Sequence, residues 1–386
     1  MQSYRQQKTA GSTKLWTLSA AGALGELPFC KSMNKVAMPA AAGMPANATS
    51  YPQLRYMGGK HRLLPWLHET LAALPFQSAL DLFSGSGCVS YLLKGMGKRV
   101  VAKDFLEFAH HLAIATTENS HVTLSAAEVT ALVDAARPHD TFIERTFAGI
   151  FFNREDLRFL DVVSTNLRLI EGHHSRALVH ASLTRACLKK QPRGVFTVDG
   201  TRYDDGRRDL RTPLLEHFHE SVAVFNGLVF DNGCPNQAVR GDALRANTGP
   251  VDLVYMDPPY VPRADDNCYV KRYHFLEGLA SYWRGPGTEI DTTSKVRKIA
   301  KRFTPFSYRK TAPAAFDAMF REYADSMLVL SYSSNGFPDL PSLVAMMRQY
   351  KRRVDVVSRP HRDHFGTHAA VAPERTAVQE YLVVGQ

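Results

Sequence analysis

The run Ser78-Ala79-Leu80-Asp81-Leu82-Phe83, followed at once by Ser84-Gly85-Ser86-Gly87, constrains this chain more than any other part of it. A short apolar run ending in a glycine turn reads as a buried strand. Residues 88–94 then read as a helix and Arg99–Asp104 as a second strand, which makes a βαβ unit. Such a unit implies a parallel sheet with helices packed on it. Further strands are expected at 251–257, 326–332 and 378–384, and Leu64, Leu67, Leu71 and Leu74 mark one helical face ahead of the first strand.

With 386 residues the chain exceeds the roughly 250 that one core usually holds, so one large domain or two smaller ones are expected. Strand and helix patterns recur on both sides of a long middle segment. The expectation is one α/β domain made of 51–139 and 236–386, interrupted by an insertion at 140–235. Residues 1–50, rich in Ala, Gly, Ser, Met and Pro without periodicity, read as a disordered tail. Hydrophobic residues at 45% and charged residues at 22% describe a globular chain, and no run of about 18 apolar residues suggests a membrane span. The net charge of +10 favours a polyanionic partner. Five widely spaced cysteines without a CxxC pair argue against a disulfide framework or zinc cluster and suit a reducing compartment.

Two motifs carry the chemistry. In the first, Asp81 to Gly87, glycines after a strand let backbone approach a ligand at a helix N-terminus. Asp104 ends the next strand 19 residues beyond Gly85, close to the spacing of an acidic ribose acceptor. Ser90 stands where a dinucleotide fingerprint has its third glycine, which disfavours a dehydrogenase. The second is Asp257-Pro258-Pro259-Tyr260, directly after an apolar strand and so at the carboxyl edge of the sheet. The prolines stiffen the turn and supply carbonyls without competing N–H donors. A ring amine, whose lone pair is delocalised, needs two such acceptors to become nucleophilic. The Asp257 carboxylate and Pro258 carbonyl could hold its hydrogens, and Tyr260 could stack on the base.

The succession Tyr56-Met57-Gly58-Gly59-Lys60, then FSGSG, Asp104 and DPPY, resembles the Dam-type DNA adenine-N6 methyltransferases. The resemblance covers about 51–115 and 238–386. It implies a Rossmann-like α/β sheet of the S-adenosylmethionine-dependent methyltransferase kind, carrying an inserted, mainly helical target-recognition domain. It also implies Asp257, Pro258, Pro259 and Tyr260 as catalytic residues. Cofactor contacts would come from Tyr56, Gly59, Lys60, Asp81, Phe83, Ser84, Gly85, Gly87, Asp104, Asp242, Ala243 and Asp257. The segment 330–335 resembles a late segment lining the target-base pocket. Double-stranded DNA would be the partner, with a cognate restriction endonuclease as a further one, in the cytoplasm of a prokaryotic or phage-infected cell near the nucleoid.

DNA contact is expected from two basic stretches. Residues 191–211 pattern as a hairpin with Arg202, Arg207, Arg208 and Arg211, suited to guanine edges and phosphates, although nearby aspartates could pair with them in a solvated ribbon. Residues 294–310 hold seven basic residues and three aromatics without an acid, including Lys298, Lys301 and Arg302. They suit phosphate tracking or support of an extruded base, or else a solvated basic helix. His173 and His174 read as solvated, and no metal is needed. Cytosine-C5 chemistry is disfavoured, since no Pro-Cys dipeptide supplies the nucleophile. Cytosine-N4 methylation and a silent DNA-binding module of the same fold remain as alternatives.

Overall fold

The computed structural model describes residues 43–192, 194–198, 206–246, 248–261, 268–362 and 377–386. Seven strands form one sheet: β1 Ser78–Asp81, β2 Arg99–Asp104, β3 Gln237–Arg240, β4 Leu253–Met256, β5 Met327–Ser333, β6 Val354–Arg362 and β7 Ala377–Gly385. Their order is β3-β2-β1-β4-β5-β7-β6. β1 to β5 run parallel to one another, while β7 runs antiparallel to both β5 and β6. The expected parallel sheet therefore carries an antiparallel edge, and β3 and β6 are additions to the five expected strands.

Alternation along the strands feeds two apolar layers. Ala79, Val100, Leu253, Tyr255, Val329, Leu382 and Val384 face one layer. Their neighbours Leu80, Val101, Val254, Met256, Leu328, Leu330 and Val383 face the other. The first layer takes helices α1 Leu64–Ala72, α2 Cys88–Gly95 and α3 Glu107–Ala113. It continues without a break into α4 Arg154–Asn166, α5 His173–Lys190, α6 Leu214–Gly227 and α7 Tyr269–Ser281. Helices α8 Ala312–Glu322 and α9 Leu340–Met347 cover the second layer.

The middle segment is helical and shares the core. Within it the buried Lys190 ammonium meets Asp156 Oδ2 at 2.5 Å, and Asp156 Oδ1 accepts the Leu214 amide at 2.7 Å. Arg55 ties this segment to the main body by donating to the carbonyls of Lys189 and Gln191 and to Asp209. The alternation of 195–198 does not make a strand. Phe196 is instead fully buried against Phe151 and Phe275, and its amide donates to the Arg272 carbonyl. The tip of that expected hairpin, including Arg202, lies outside the described residues, as does most of the expected tail. The last part of the tail, Ala46–Thr49, is a helical turn with Ala48 buried.

Gly87 shows how tightly the turn after β1 is built. Its φ of 80° is left-handed, and a Cβ there would lie 2.7 Å from the hydroxyl of Tyr51, which donates to the Ser86 carbonyl. We expect Gly87→Ala to lower stability by more than the roughly 1–2 kcal/mol of left-handed strain. Tyr51→Phe in the same chain should recover part of the loss by removing the clashing oxygen. Urea unfolding of the two variants checks this, and no recovery would mean that strain alone acts.

Candidate active site

The strand order reverses direction between β1 and β4, with β2 and β3 on one side and β5 on the other. Loops leaving two such strands part and open a crevice at their carboxyl ends. A cleft lies there, at the sheet edge where α/β folds take small-molecule ligands. Its walls come from Tyr56–Lys60, from the stretch between Asp81 and Val89, from Asp104–Leu106, and from Tyr255, Asp257, Pro259 and Tyr269.

The floor is a clamped loop. Asp104 Oδ2 accepts the Gly85 amide at 2.8 Å, and Oδ1 accepts the Leu106 amide at 2.9 Å. Burial pushes Asp104 up to about 6, against the pull of those amide donors. Beside it, Asp81 Oδ2 accepts the hydroxyl of Ser90 at 2.6 Å. The residue replacing the third glycine thus anchors an acid. Burial pushes Asp81 up to about 7, the Ser90 bond opposing it, and Asp81 Oδ1 has no hydrogen-bond partner among the described residues.

One wall is aromatic. The Tyr56 ring lies over Gly85, whose φ is 49° and where a Cβ would approach Tyr56 Cε1 to 3.0 Å. The same ring stacks on Tyr273 with centroids 5.0 Å apart and planes at 4°. Tyr273 and Tyr269, one turn apart on α7, hold the backbone of Met57: its amide donates to the Tyr273 hydroxyl, and its carbonyl accepts from Tyr269. This grip places Lys60, which the sequence singles out as a cofactor contact, directly beside Asp257. Lys60 Nζ is 3.1 Å from Asp257 Oδ1 and 3.9 Å from Glu380 Oε2 on β7. Burial works against the Lys60 charge, yet Asp257 and Glu380 outweigh it and hold the ammonium above the ordinary lysine range. Burial likewise pushes Asp257 up to about 6, with Lys60 pulling the other way.

On the far side, Tyr260 meets the buried Tyr332 edge-on at 5.4 Å. That contact brings the 330–335 segment next to DPPY. Pro258 is buried and Pro259 lines the cleft. Phe83 touches Phe306 at 5.5 Å, which sets the basic 294–310 segment against the cleft.

Asp242 and Ala243 are not among the residues that line this cleft, although the Gly241 amide beside them donates to the Asp104 carbonyl. They follow β3, two strands from the reversal, where Asp242 is exposed and accepts the Leu244 amide while the Ala243 carbonyl accepts from Tyr323. The basic residues are also distributed. Arg207 donates to the Pro192 carbonyl and Arg208 is exposed. Lys301 is exposed, Lys298 half-buried, and Arg302 pairs with the buried Glu277 at 2.9 Å. The described part of 294–310 is mostly irregular, without an α-helix. His173 and His174, rather than being merely solvated, both turn to Glu118 outside the cleft. Sequence reasoning missed Tyr269, Tyr273 and Glu380. The tyrosine pair at i and i+4 on one helix face, and a glutamate inside the apolar run 378–384, were the available signals.

A seven-stranded sheet in this order, with its antiparallel β7, is that of the S-adenosylmethionine-dependent methyltransferase fold. Residues 56–304 match the D12 class N6 adenine-specific DNA methyltransferase family, and the chain belongs to that family. It is an enzyme that methylates adenine in DNA. The chain is 27% identical over 335 residues to the type II methyltransferase M2.HphI of Haemophilus parahaemolyticus, covering 82% of this chain and 93% of that one. It is 22% identical over 358 residues to the modification methylase LlaI of Lactococcus lactis subsp. lactis, covering 86% of this chain and 54% of that relative.

Lys60→Met leaves the Asp257 and Glu380 carboxylates facing each other without a cation. We expect a stability loss at the low end of the roughly 3–5 kcal/mol seen for broken buried pairs, because Asp257 keeps some exposure. A carboxylate whose folded pKa lies above its unfolded value costs most at high pH and less as it protonates. Losing Lys60 raises the Asp257 protonation point further, so the gap between variant and parent should narrow as pH falls from that higher point towards the parent's value of about 6. Thermal unfolding at pH 8 and pH 5.5 checks the sign, and an equal gap at both would contradict it.

Proposed function

We propose that the cleft holds S-adenosylmethionine and that Asp257 acts on the amino group of an adenine flipped out of duplex DNA. What carries this reading is that Asp257, with its lysine partner, borders the same cleft as the glycine loop. The cleft suits such a cofactor: it offers three carboxyl groups for a cationic ligand and a buried Asp81 oxygen lacking a partner among the described residues. Tyr56, Lys60, Asp81, the loop from Phe83 to Gly87 and Asp104 would hold it. Each Asp104 oxygen that accepts one amide keeps a further lone pair for a ribose hydroxyl. When bound, the cofactor supplies an electrophilic methyl group.

The protein's own work is positioning and electrostatics. Lys60 engages Asp257 Oδ1, and we assign Oδ2 as acceptor for one amine hydrogen, with the Pro258 carbonyl as acceptor for the other. The carboxylate stabilises positive charge developing on the nitrogen and is the nearest base for the proton it sheds. Flipping costs a few kcal/mol, which stacking on Tyr260, supported by Tyr332, would offset.

For DNA we assign the middle segment, through Arg202, Arg207 and Arg208, and the 294–310 segment, through Lys298 and Lys301. Phe303, at 67% exposed, stacks on Tyr308 at 5.3 Å and presents a ring to solvent between these basic residues. Arg302 contributes less, its charge being matched by Glu277. No helix among the described residues is long and apolar enough to cross a membrane. We place the enzyme on DNA in the prokaryotic cytoplasm, alongside a restriction partner; the bacterial sources and the names of both relatives support this.

Asp257→Ala should slow methyl transfer by roughly a hundredfold or more, as for loss of a preorganised electrostatic group, while DNA binding survives. Nucleoside mass spectrometry of treated DNA reads N6-methyladenine from the parent and almost none from the variant; equal yields would remove Asp257 from the mechanism. Replacing Arg207 and Arg208 together should weaken DNA binding and flatten its salt dependence by up to about 0.9 per lost phosphate contact. Cofactor affinity should not change. An unchanged salt slope would move recognition to 294–310.

A further inference from the structure

The basic stretch 294–310 crosses from one apolar layer of the sheet to the other. Val296 and Ile299 are buried in the first layer, and Phe306 is buried in the second. Between them Arg302 pairs with Glu277 of α7, whose other carboxylate oxygen accepts the Glu107 amide just beyond the carboxyl end of β2. Phe306 meets Phe83, just beyond β1, edge-on at 5.5 Å, and Phe316 of α8 at 5.4 Å. The crossing therefore runs along the carboxyl edge of the sheet, where the cleft and the DPPY turn lie. Phe303 stands in its middle. Three residues of chain reach at most about 11 Å, so the Phe303 backbone is no further than that from Phe306 beside the cleft loop.

Phe303 is the most exposed large apolar side chain among the described residues. One exposed ring is ordinary by itself. This one is held in place, because Tyr308 lies on it with planes at 13°. The turn between the two rings is fastened as well. The Ser307 amide donates to the Thr304 carbonyl, and the Thr311 hydroxyl donates to the Pro305 carbonyl. Seven basic residues and no acid accompany the ring within 294–310. An aromatic face fixed among cations fits a base flanked by phosphates. We propose that Phe303, backed by Tyr308, enters the duplex at the place the target adenine has left and stacks on the neighbouring base pair. The stack offsets the unstacking that extrusion costs and keeps the duplex from closing over the gap. Tyr260 holds the extruded base, and Phe303 holds its vacated place.

The inference rests on the adenine being flipped into the cleft. Its test uses the full chain on a duplex containing its methylation site, with single-turnover rates for the parent, Phe303→Ala and Phe303→Trp. The target adenine is either paired with thymine or mismatched with cytosine. A further duplex carries 2-aminopurine at the target, whose fluorescence changes when it leaves the stack. Phe303→Ala should methylate the paired duplex about tenfold more slowly, the order of one lost base–aromatic stack. On the mismatched duplex, where extrusion costs less, its deficit against the parent should shrink to about twofold or less. Phe303→Trp, which keeps a stacking ring, should restore most of the rate on the paired duplex. Cofactor affinity and Tm should stay at the parental values in both variants, since the side chain is exposed. An equal deficit on the two duplexes, or none on the paired one, would overturn the proposal. A parent that methylates adenine while the 2-aminopurine signal stays unchanged would instead overturn the flipping itself, and this inference with it.

Discussion

Lys60 Nζ lies 3.1 Å from Asp257 Oδ1 and 3.9 Å from Glu380 Oε2, almost closed off from water. The chemistry proposed for the DPPY turn depends on that ammonium. Asp257 sits in a cleft whose burial favours the protonated acid, and a protonated Asp257 is a poor acceptor for an amine hydrogen. Lys60 opposes the burial. Its own position is set by backbone: Gly59 turns back to the Tyr56 carbonyl, Leu63 donates to the Lys60 carbonyl at the entrance to α1, and the α7 tyrosines grip Met57. The entrance to α1, far from DPPY in sequence, and α7, just after it, therefore together place the cation beside its first residue.

The sheet brings these parts together through topology. Reversal of strand order between β1 and β4 sets Asp81 and Asp257 on neighbouring strands and opens the cleft between their loops. Asp104, from β2, closes the floor by fastening the glycine loop through the Gly85 amide. Two apolar layers hold the strands, and the larger one runs on into α4 to α7. Helices that flank the proposed recognition segment thus pack in the same core as the helices behind the glycine loop.

The legible part of this architecture was local in sequence. The βαβ unit, the glycine loop with Asp104, and DPPY after its strand each declare themselves within a few tens of residues. Lys60 was legible only by resemblance, and its pairing with Asp257 was not, because chain distance says nothing about which buried charges meet. Glu380 was hidden for the same reason, inside a strand whose apolar neighbours marked only the strand. Strands β3 and β6 escaped notice because both lie towards the sheet's edges and carry polar residues, so their burial pattern is weak. Val195 to Val198 misled in the opposite direction: alternation there reflects Phe196 inserting into an aromatic cluster, where its amide finds a partner on α7. Asp242 and Ala243 were named by order along the chain; they follow β3 and are not among the residues that line the cleft.

The central claim is that one cleft gathers the methyl donor and the amine acceptor, with Lys60 holding Asp257 ionised between them. The crystal structure of the full chain with S-adenosylhomocysteine and a duplex containing its methylation site tests that claim most directly. The account predicts the cofactor product between Tyr56 and the Phe83–Gly87 loop, with its ribose at Asp104. It also predicts an extruded adenine whose N6 lies within hydrogen-bond distance of Asp257 Oδ2, with Lys60 still on Oδ1. A cofactor product bound away from this cleft, or an adenine amine that contacts neither Asp257 nor the Pro258 carbonyl, would contradict it.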